Sequence, residues 1–521
     1  MDYFYSSEFP LHVQDLMAQN RVPGLAIAIA QNDQIASEGY GQASINPPTR
    51  CTADTLFDIA SSAKSMTAAA VALLVDDDET YPEVQYNSTM SSLLPDDFVL
   101  PSVQHTEGVT VEDILSHRTG IAPHDNSYMS PRATHPDNAR SITRNLRNLT
   151  LAAPLRAKYL YNNMMYTVAT HLVEVKSGLP FADFLHQHFF RPLNMQSTSL
   201  QREGARAKGL QDRIATGYIW SKETSMYHGF QSPDCPEGQG AGSIITSVND
   251  FIRWVKALVN RENPINEHVY QGLVRMRTLM NPDARRLKPF TSPAVYAAGM
   301  EVYYYRGHMV SGHNGVIPGF ASRFFFLPEF KFGAVILSNS AGGGPVATIL
   351  TRELIDRVLG VSDTERSRRN QGNTTTLSAN VKSQTDQPKH KATRTTRKKD
   401  KVQQLRASVI SHPQPQETPL DAYMGRYWNS GYHFLSVDVK DEKLFIDATD
   451  RSMGFSLTFE HVSGGTKYIA HLEDFLEGGD DLVPAKFIFE DGQAVRLGLH
   501  LEKSLKDMIW FERVAHSTRQ S

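Results

Sequence analysis

The sequence predicts an α+β protein in which a large mixed domain precedes a smaller antiparallel β domain. Three observations lead to this prediction. Strand patterns stand at both ends of residues 1–360, and helical patterns fill the middle of that region. Residues 361–415 show almost no aromatic or strand pattern. Residues 416–521 then alternate apolar and polar side chains between turn residues. We therefore expect folded domains at 1–360 and 416–521.

The strands of the first domain come from both ends of its sequence. We expect them to form an antiparallel sheet flanked by helices, with the middle of the region as an all-helical subdomain. The predicted strands are 25–31, 34–40, 296–305, 319–327 and 332–338. The predicted helices are 6–20, one beginning near residue 61, 110–117, 166–176, 181–190, 248–259 and 346–359.

The last hundred residues predict an antiparallel β-barrel-like domain. Asp441-Glu442 and Asp491-Gly492 have the composition of tight turns between neighbouring strands. No helical pattern of note interrupts the runs, which favours a small barrel. The predicted strands are 434–439, 443–448, 455–461, 467–472, 485–489 and 495–501, with a final run at 508–511.

Composition excludes several classes of protein. A hydrophobic content of 40% and a charged content of 21% are typical of a soluble globular chain. A net charge of −3 does not indicate binding to nucleic acid. Two cysteines cannot form a disulfide framework or a zinc-like cluster, so we expect neither cofactor nor metal. There is no run of 18 apolar residues and no evident secretory signal, which favours a cytoplasmic protein without a membrane span.

Residues 361–415 are basic. They contain twelve Lys and Arg against four Asp and Glu, which gives +8 and leaves −11 for the rest of the chain. Such a polar segment buries too little apolar surface to order itself, so we predict a disordered linker. The cluster at 389–401 is also compatible with a nuclear import signal or an anion-binding tail, although a solvated linker is favoured.

The first candidate functional pair is Ser61 and Lys64, whose Ser-x-x-Lys spacing occurs nowhere else in the chain. An apolar run leads into a helical pattern here, so both side chains are expected on one face of a helix start. A desolvated lysine can take the proton of a serine, and helix N–H groups can hold an oxyanion. The alternative is structural, with Ser61 as a helix N-cap and Lys64 solvated.

Tyr161 and Asn163 supply the second candidate element, at the start of the helix predicted at 166–176. We expect a lowered pKa for Tyr161 beside cationic Lys64, which suits a proton shuttle. Asn163 can donate a hydrogen bond to a substrate carbonyl. The pattern also occurs at Tyr427 and Asn429, where a structural role is favoured.

The third element is residues 312–320, at a predicted strand start. Gly315 allows the backbone to approach a ligand, and the N–H of Val316 is a candidate oxyanion donor beside that of Ser61. His313 can face the substrate, bond to Tyr161, or be structural.

In this order, the three elements resemble the serine β-lactamase and penicillin-binding-protein superfamily. The resemblance extends over residues 8–360 and is closest to class C-like esterases, D-aminopeptidases and acyltransferases. It implies Ser61 as the acylated nucleophile, Lys64 as the base and Tyr161 as the acid/base partner. The final domain resembles the lipocalin-like domains that follow some such hydrolases. Residues 122–150 occupy the position of a loop and helix that wall the acyl pocket in family members, although a solvated helix face is favoured for this stretch.

One departure from the family narrows the expected substrate. The third motif usually carries a lysine that helps bind a substrate carboxylate, and this chain has His313 there. We therefore expect a serine hydrolase acting on a neutral ester, thioester or amide of a small metabolite, free or carrier-bound. The alternatives are an acyltransferase or cyclising thioesterase of natural-product biosynthesis, and a catalytically silent scaffold. The oligomeric state stays open.

Overall fold

A computed structural model describes residues 1–285, 287–362, 364–366 and 415–514. The predicted linker at 361–415 therefore lies almost entirely outside the described residues. Within those ranges, no helix has the length and apolarity needed to cross a membrane.

The first domain is built on a nine-stranded antiparallel sheet with the order β3-β2-β1-β14-β13-β12-β11-β10-β9. The strands of this domain are β1 Gly24–Gln31, β2 Gln34–Ser44, β3 Thr49–Arg50, β4 Phe57–Asp58, β5 Ser199–Leu200, β6 Gly217–Ser221, β7 Met226–Phe230, β8 Ile244–Thr246, β9 Thr278–Leu279, β10 Val295–Tyr296, β11 Glu301–Tyr305, β12 His308–Ile317, β13 Phe320–Leu327 and β14 Phe332–Ser338. Leu25 of β1 lies opposite Tyr40 and Ser338, so the two chain ends meet at the centre of the sheet, as predicted.

Helices cover both faces of this sheet. The helices of this domain are α1 Glu8–Asn20, α2 Lys64–Asp76, α3 Met90–Leu93, α4 Val103–Gly108, α5 Val111–Leu115, α6 Ala139–Asn145, α7 Met164–Ser177, α8 Phe181–Leu185, α9 Gln201–Ala207, α10 Val248–Asn260, α11 Glu267–Val274 and α12 Gly343–Val358. Alternation along β1 divides the core: Ala26 and Ala28 pack in the cluster that contains α2 and α10, and Leu25 and Ile27 pack with α1 and α12. β1 is therefore buried on both faces.

The region between the early and late strands, which the sequence predicted to be all-helical, contains strands as well as helices. It also contains a small sheet, β4-β8-β5, and the hairpin β6-β7. The helix predicted at 181–190 is α8 followed by a π-helical turn, His186–Phe190. The expectation that residues 312–320 lie at a strand start was wrong, because most of them belong to β12, which the sequence did not predict. Gly312 and Gly315 interrupt the alternation by which a strand is recognised.

The second domain is a closed eight-stranded barrel in which β15 pairs with both β16 and β22. Its strands are β15 Gly425–Asn429, β16 His433–Lys440, β17 Lys443–Ala448, β18 Phe455–Ser463, β19 Lys467–Asp474, β20 Gly478–Glu490, β21 Gln493–Leu499 and β22 Ile509–Arg513. Asp441 and Glu442 both have positive φ, as a two-residue hairpin turn requires. Aromatic rings fill the interior, where Tyr423 and Phe487 lie 4.9 Å apart between centroids.

Candidate active site

Ser61 lies in a short 3-10 helix, Ala60–Ala63, that leads directly into α2. The preceding residue, Ala60, has φ +45°, a conformation that L-residues rarely adopt. The Asp58 carboxylate accepts the Ala60 N–H at 2.8 Å and holds this bend. The bend turns the chain from β4 into the helix and presents Ser61 at the helix start, as the sequence predicted.

Lys64 is fully buried and has three polar neighbours. Its Nζ lies 3.0 Å from Ser61 Oγ, 2.8 Å from Asn163 Oδ1 and 2.7 Å from the Ala241 carbonyl oxygen. Burial lowers the pKa of this amine to about 7, and Asp125 offsets part of that shift. A neutral amine has two N–H groups and one lone pair. Asn163 and Ala241 accept the two N–H groups, which leaves the lone pair for the Ser61 hydroxyl.

Tyr161 donates its hydroxyl to Ser61 Oγ at 2.8 Å. The expected lowering of its pKa was wrong: burial raises the pKa of Tyr161, and the hydrogen bond with Ser61 offsets that only in part. Lys64 Nζ lies 4.9 Å from the ring centroid, over the ring. Desolvation of a phenolate outweighs this proximity, so Tyr161 keeps its proton and is a hydrogen-bond donor in the site.

His313 is held away from Tyr161. Its Nδ1 lies 2.6 Å from the Asn314 carbonyl oxygen and must therefore be the donor, so Nε2 accepts the Tyr296 hydroxyl at 2.9 Å. Burial, with a contribution from Lys64, lowers the pKa of His313 to about 3. The imidazole is neutral, and it does not replace the positive charge of the family's usual third-motif lysine.

Gly315 brings β12 against the nucleophile. A Cβ at this position would lie 2.3 Å from the Ile59 carbonyl oxygen and 2.8 Å from the Ser61 backbone nitrogen. No side chain fits there, so glycine is required for the close approach. Val316 follows on the same strand, with its side chain about half exposed, 52%.

Three residues of the site were not assigned a role from the sequence. Asp125 Oδ1 accepts the Asn163 Nδ2 amide at 3.1 Å, and burial raises the pKa of Asp125 to about 6. Tyr296 bonds His313, as described above. His117 accepts the Asn162 N–H, and its ring lies 4.3 Å from that of Tyr161 between centroids. Each lies far from its partner in sequence, so spacing carries no signal of these contacts.

Comparison with known families gives two matches. The family model described as Beta-lactamase matches residues 10–359, and the one described as Domain of unknown function (DUF3471) matches residues 411–513. The first covers more than half of the chain, and the second covers the barrel.

Two fungal relatives match almost the whole chain. Unguisins hydrolase ungD of Aspergillus violaceofuscus is 33% identical over 97% of this chain and 90% of its own length. Unguisins hydrolase ungD' of Aspergillus campestris is 32% identical over 97% of this chain and 91% of its own length.

Solved structures show the same architecture at low identity. The octameric penicillin-binding protein homologue from Pyrococcus abyssi aligns with a TM-score of 0.57 at 17% identity, over 96% of this chain and 98% of its own. The D-amino acid amidase from Ochrobactrum anthropi aligns with a TM-score of 0.52 at 21% identity, over 70% of this chain and 100% of its own. The family match covers residues 10–359, which contain both the Ser61 site and the nine-stranded sheet. The chain belongs to the Beta-lactamase family, with a lipocalin-like barrel as its second domain.

Proposed function

We propose that this protein is a serine hydrolase that forms an acyl-enzyme on Ser61 and releases the acyl group to water. One observation carries the proposal: buried Lys64 Nζ lies 3.0 Å from Ser61 Oγ and also contacts two acceptors, Asn163 Oδ1 and the Ala241 carbonyl oxygen. When the amine is neutral, its two N–H groups donate to those acceptors and its lone pair is left for the Ser61 hydroxyl. A base of this kind, with a pKa near neutrality, activates a serine hydroxyl at the pH of most cells. A silent scaffold would have no need of a buried, desolvated amine here.

The proposed reaction has an acylation step and a deacylation step. Ser61 Oγ attacks the substrate carbonyl carbon while Lys64 takes the hydroxyl proton. The backbone N–H groups of Ser61 and Val316 are our candidates to hold the oxyanion. Tyr161 gives its proton to the leaving group as the bond to it breaks, and the ammonium of Lys64 restores the proton of Tyr161. In deacylation, Lys64 takes a proton from water as the water oxygen attacks the ester carbonyl carbon. The bond between that carbon and Ser61 Oγ then breaks, and Lys64 returns the proton to Oγ as the acid product leaves.

The proposed substrate is a neutral amide, ester or thioester of a natural product. Neutral His313 supports this substrate class, since the strand beside Ser61 lacks the cation that binds a free carboxylate in other members. The names of the two fungal relatives support hydrolysis, and they support a natural product as substrate because both are called unguisins hydrolases.

Intact mass spectrometry tests the acyl-enzyme directly. We expect one adduct after incubation with a fluorophosphonate, absent in Ser61→Ala and retained in the matched control Ser65→Ala, whose buried hydroxyl bonds the Ser62 carbonyl. Lack of an adduct on the wild type, or an equal adduct on Ser61→Ala, would overturn the proposal. Turnover of activated esters with and without an added amine or alcohol then separates hydrolysis from acyl transfer.

A further inference from the structure

The barrel contacts the segment that carries Asp125. Three residues of this segment, Tyr128, Met129 and Ser130, run antiparallel to barrel residues 450–452. The Ser130 N–H donates to the Asp450 carbonyl at 3.0 Å, and the Ser452 N–H donates to the Tyr128 carbonyl at 3.1 Å. These are backbone contacts between two domains, so they fix the path of the segment regardless of most side-chain changes.

His124, the residue before Asp125, is held by two barrel side chains. Glu502 Oε2 accepts the His124 backbone N–H at 3.0 Å. His124 Nε2 lies 2.8 Å from the Thr150 carbonyl oxygen and must donate to it, so Nδ1 accepts the Tyr432 hydroxyl at 2.7 Å. His124 has φ +53°, and these bonds hold it in that rarely adopted conformation.

From His124 the contacts continue to the nucleophile. Asp125 accepts the Asn163 amide at 3.1 Å, which fixes which end of that amide faces Lys64. Asn163 Oδ1 therefore points at Lys64 Nζ, 2.8 Å away, and Nζ lies 3.0 Å from Ser61 Oγ. The series of direct contacts runs from the barrel to the reacting serine without a gap.

The barrel also contacts the segment that leads to the second acceptor of Lys64, Ala241. The Ser452 hydroxyl donates to Glu237, in the segment that precedes the Ala241 carbonyl bound to Lys64. The barrel thus contacts the segment that leads to Ala241, and it contacts the segment that carries Asp125, whose carboxylate accepts the Asn163 amide. The aromatic rings that fill the barrel interior are consistent with a domain that acts through its rim.

We propose that the barrel positions the acyl-transfer site, with Glu502 and Tyr432 as positioning residues that act through His124 and Asp125 on Asn163 and Lys64. This inference rests on the proposed function, because its effect is on acylation of Ser61. Neither barrel residue touches the reacting atoms. Removal of the Glu502 carboxylate or the Tyr432 hydroxyl is expected to slow acylation. The Asn163 amide and the Lys64 amine would then no longer be held in position beside Ser61.

The test compares acylation rates of full-length variants with an activated ester, resolved into a rate constant and an apparent binding constant. Glu502→Leu removes the acceptor of the His124 N–H, and we expect a loss of about tenfold in the rate constant with apparent binding little changed. Glu502→Gln keeps an acceptor oxygen and is expected to restore most of the rate. Tyr432→Phe, which removes only a hydroxyl, is expected to lose about fivefold.

Two barrel variants away from the domain contact serve as matched controls. Glu512→Leu removes a carboxylate that pairs with Arg496, and Tyr468→Phe removes a hydroxyl inside the barrel. Both are expected to acylate at the wild-type rate. Thermal unfolding of every variant shows whether the fold is kept, and Tyr432→Phe provides a test if Glu502→Leu does not fold.

The outcomes separate this inference from the proposed function. If the wild type forms no adduct on Ser61, the proposed function fails. If the wild type acylates and folded Glu502→Leu and Tyr432→Phe match it, the positioning role of the barrel is overturned. Equal losses in Glu512→Leu and Tyr468→Phe would overturn it as well, since they would show a general effect of barrel stability.

Discussion

The Lys64 side-chain nitrogen lies 2.7 Å from the backbone carbonyl oxygen of Ala241. A carbonyl oxygen only accepts hydrogen bonds, so it always takes an N–H of the amine. Together with Asn163 Oδ1, it orients the amine in both protonation states. When Lys64 is neutral, its lone pair faces the Ser61 hydroxyl, and when it is protonated, its third N–H faces Ser61 Oγ. The position of the amine is the same in both states.

The first prediction concerns the pH dependence of acylation. Neutral Lys64 is the base, and its pKa lies at about 7. Below that pH the amine is protonated, so we expect the acylation rate to fall about tenfold per pH unit, and to level off above it. Inactivation by a fluorophosphonate measured from pH 5 to 9 checks this. A rate that is flat over that range would contradict the assignment of Lys64 as the base.

The second prediction is that Asp125→Asn shifts this profile to lower pH. The Asp125 carboxylate favours the protonated amine and so raises the pKa of Lys64. Without the carboxylate, Lys64 loses its proton at lower pH and the midpoint moves down. The same inactivation measurement checks it, with Glu512→Gln as the control that keeps the wild-type midpoint. A midpoint that moves up would show that Asp125 acts otherwise than as a nearby negative charge.

The third prediction is that Tyr161→Phe lowers amide turnover about 10² to 10⁴-fold, the usual range for a general acid or base. The variant loses the hydroxyl that donates to Ser61 Oγ. A poor leaving group needs a proton more than a good one, so an activated aryl ester should lose less than an amide. Tyr159→Phe is the control, because it removes the hydroxyl of a neighbouring tyrosine and keeps the ring that packs near His117. Equal losses with both substrates would argue against proton donation.

The fourth prediction concerns Gly315→Ala. The new Cβ would meet the Ile59 carbonyl oxygen and the Ser61 nitrogen, so β12 must shift away from the nucleophile. We expect a loss of activity and about 1–3 kcal/mol of stability, the usual cost of an overpacked site.

Gly344→Ala is the matched control for Gly315→Ala. It lies in the first turn of α12, and no atom lies within 4 Å of the added Cβ. We expect it to keep full activity and to gain about 0.5–1 kcal/mol, because alanine favours a helix. Urea unfolding and acylation of both variants check the pair. A fully active Gly315→Ala would show that the close approach of β12 is not needed.

The local part of the site could be predicted from the sequence. Ser61 and Lys64 are three residues apart at a helix start, so their contact follows from helix geometry alone. The pKa of Tyr161 was predicted in the wrong direction. A nearby cation can be inferred from a motif, but the depth of burial that outweighs it depends on packing of distant segments.

Distant contacts account for what the sequence did not reveal. Asp125 and Asn163 touch only because a loop, α7 and the barrel pack together. Strand β15 was missed as well, and it acquires its identity by pairing with β16 and β22 at the barrel closure. In both cases the role depends on a contact with another part of the chain, and local propensity does not predict such a contact.

The pairing of Leu25 with Ser338 has a consequence for biosynthesis. Strand β1 emerges early from the ribosome, but its second neighbour in the sheet, β14, comes more than three hundred residues later. Until then the β1-β2 hairpin has one unpaired edge, and such edges are the places where nascent chains associate with each other. Overproduction of this protein is therefore expected to depend on slow translation or chaperones that shield that edge.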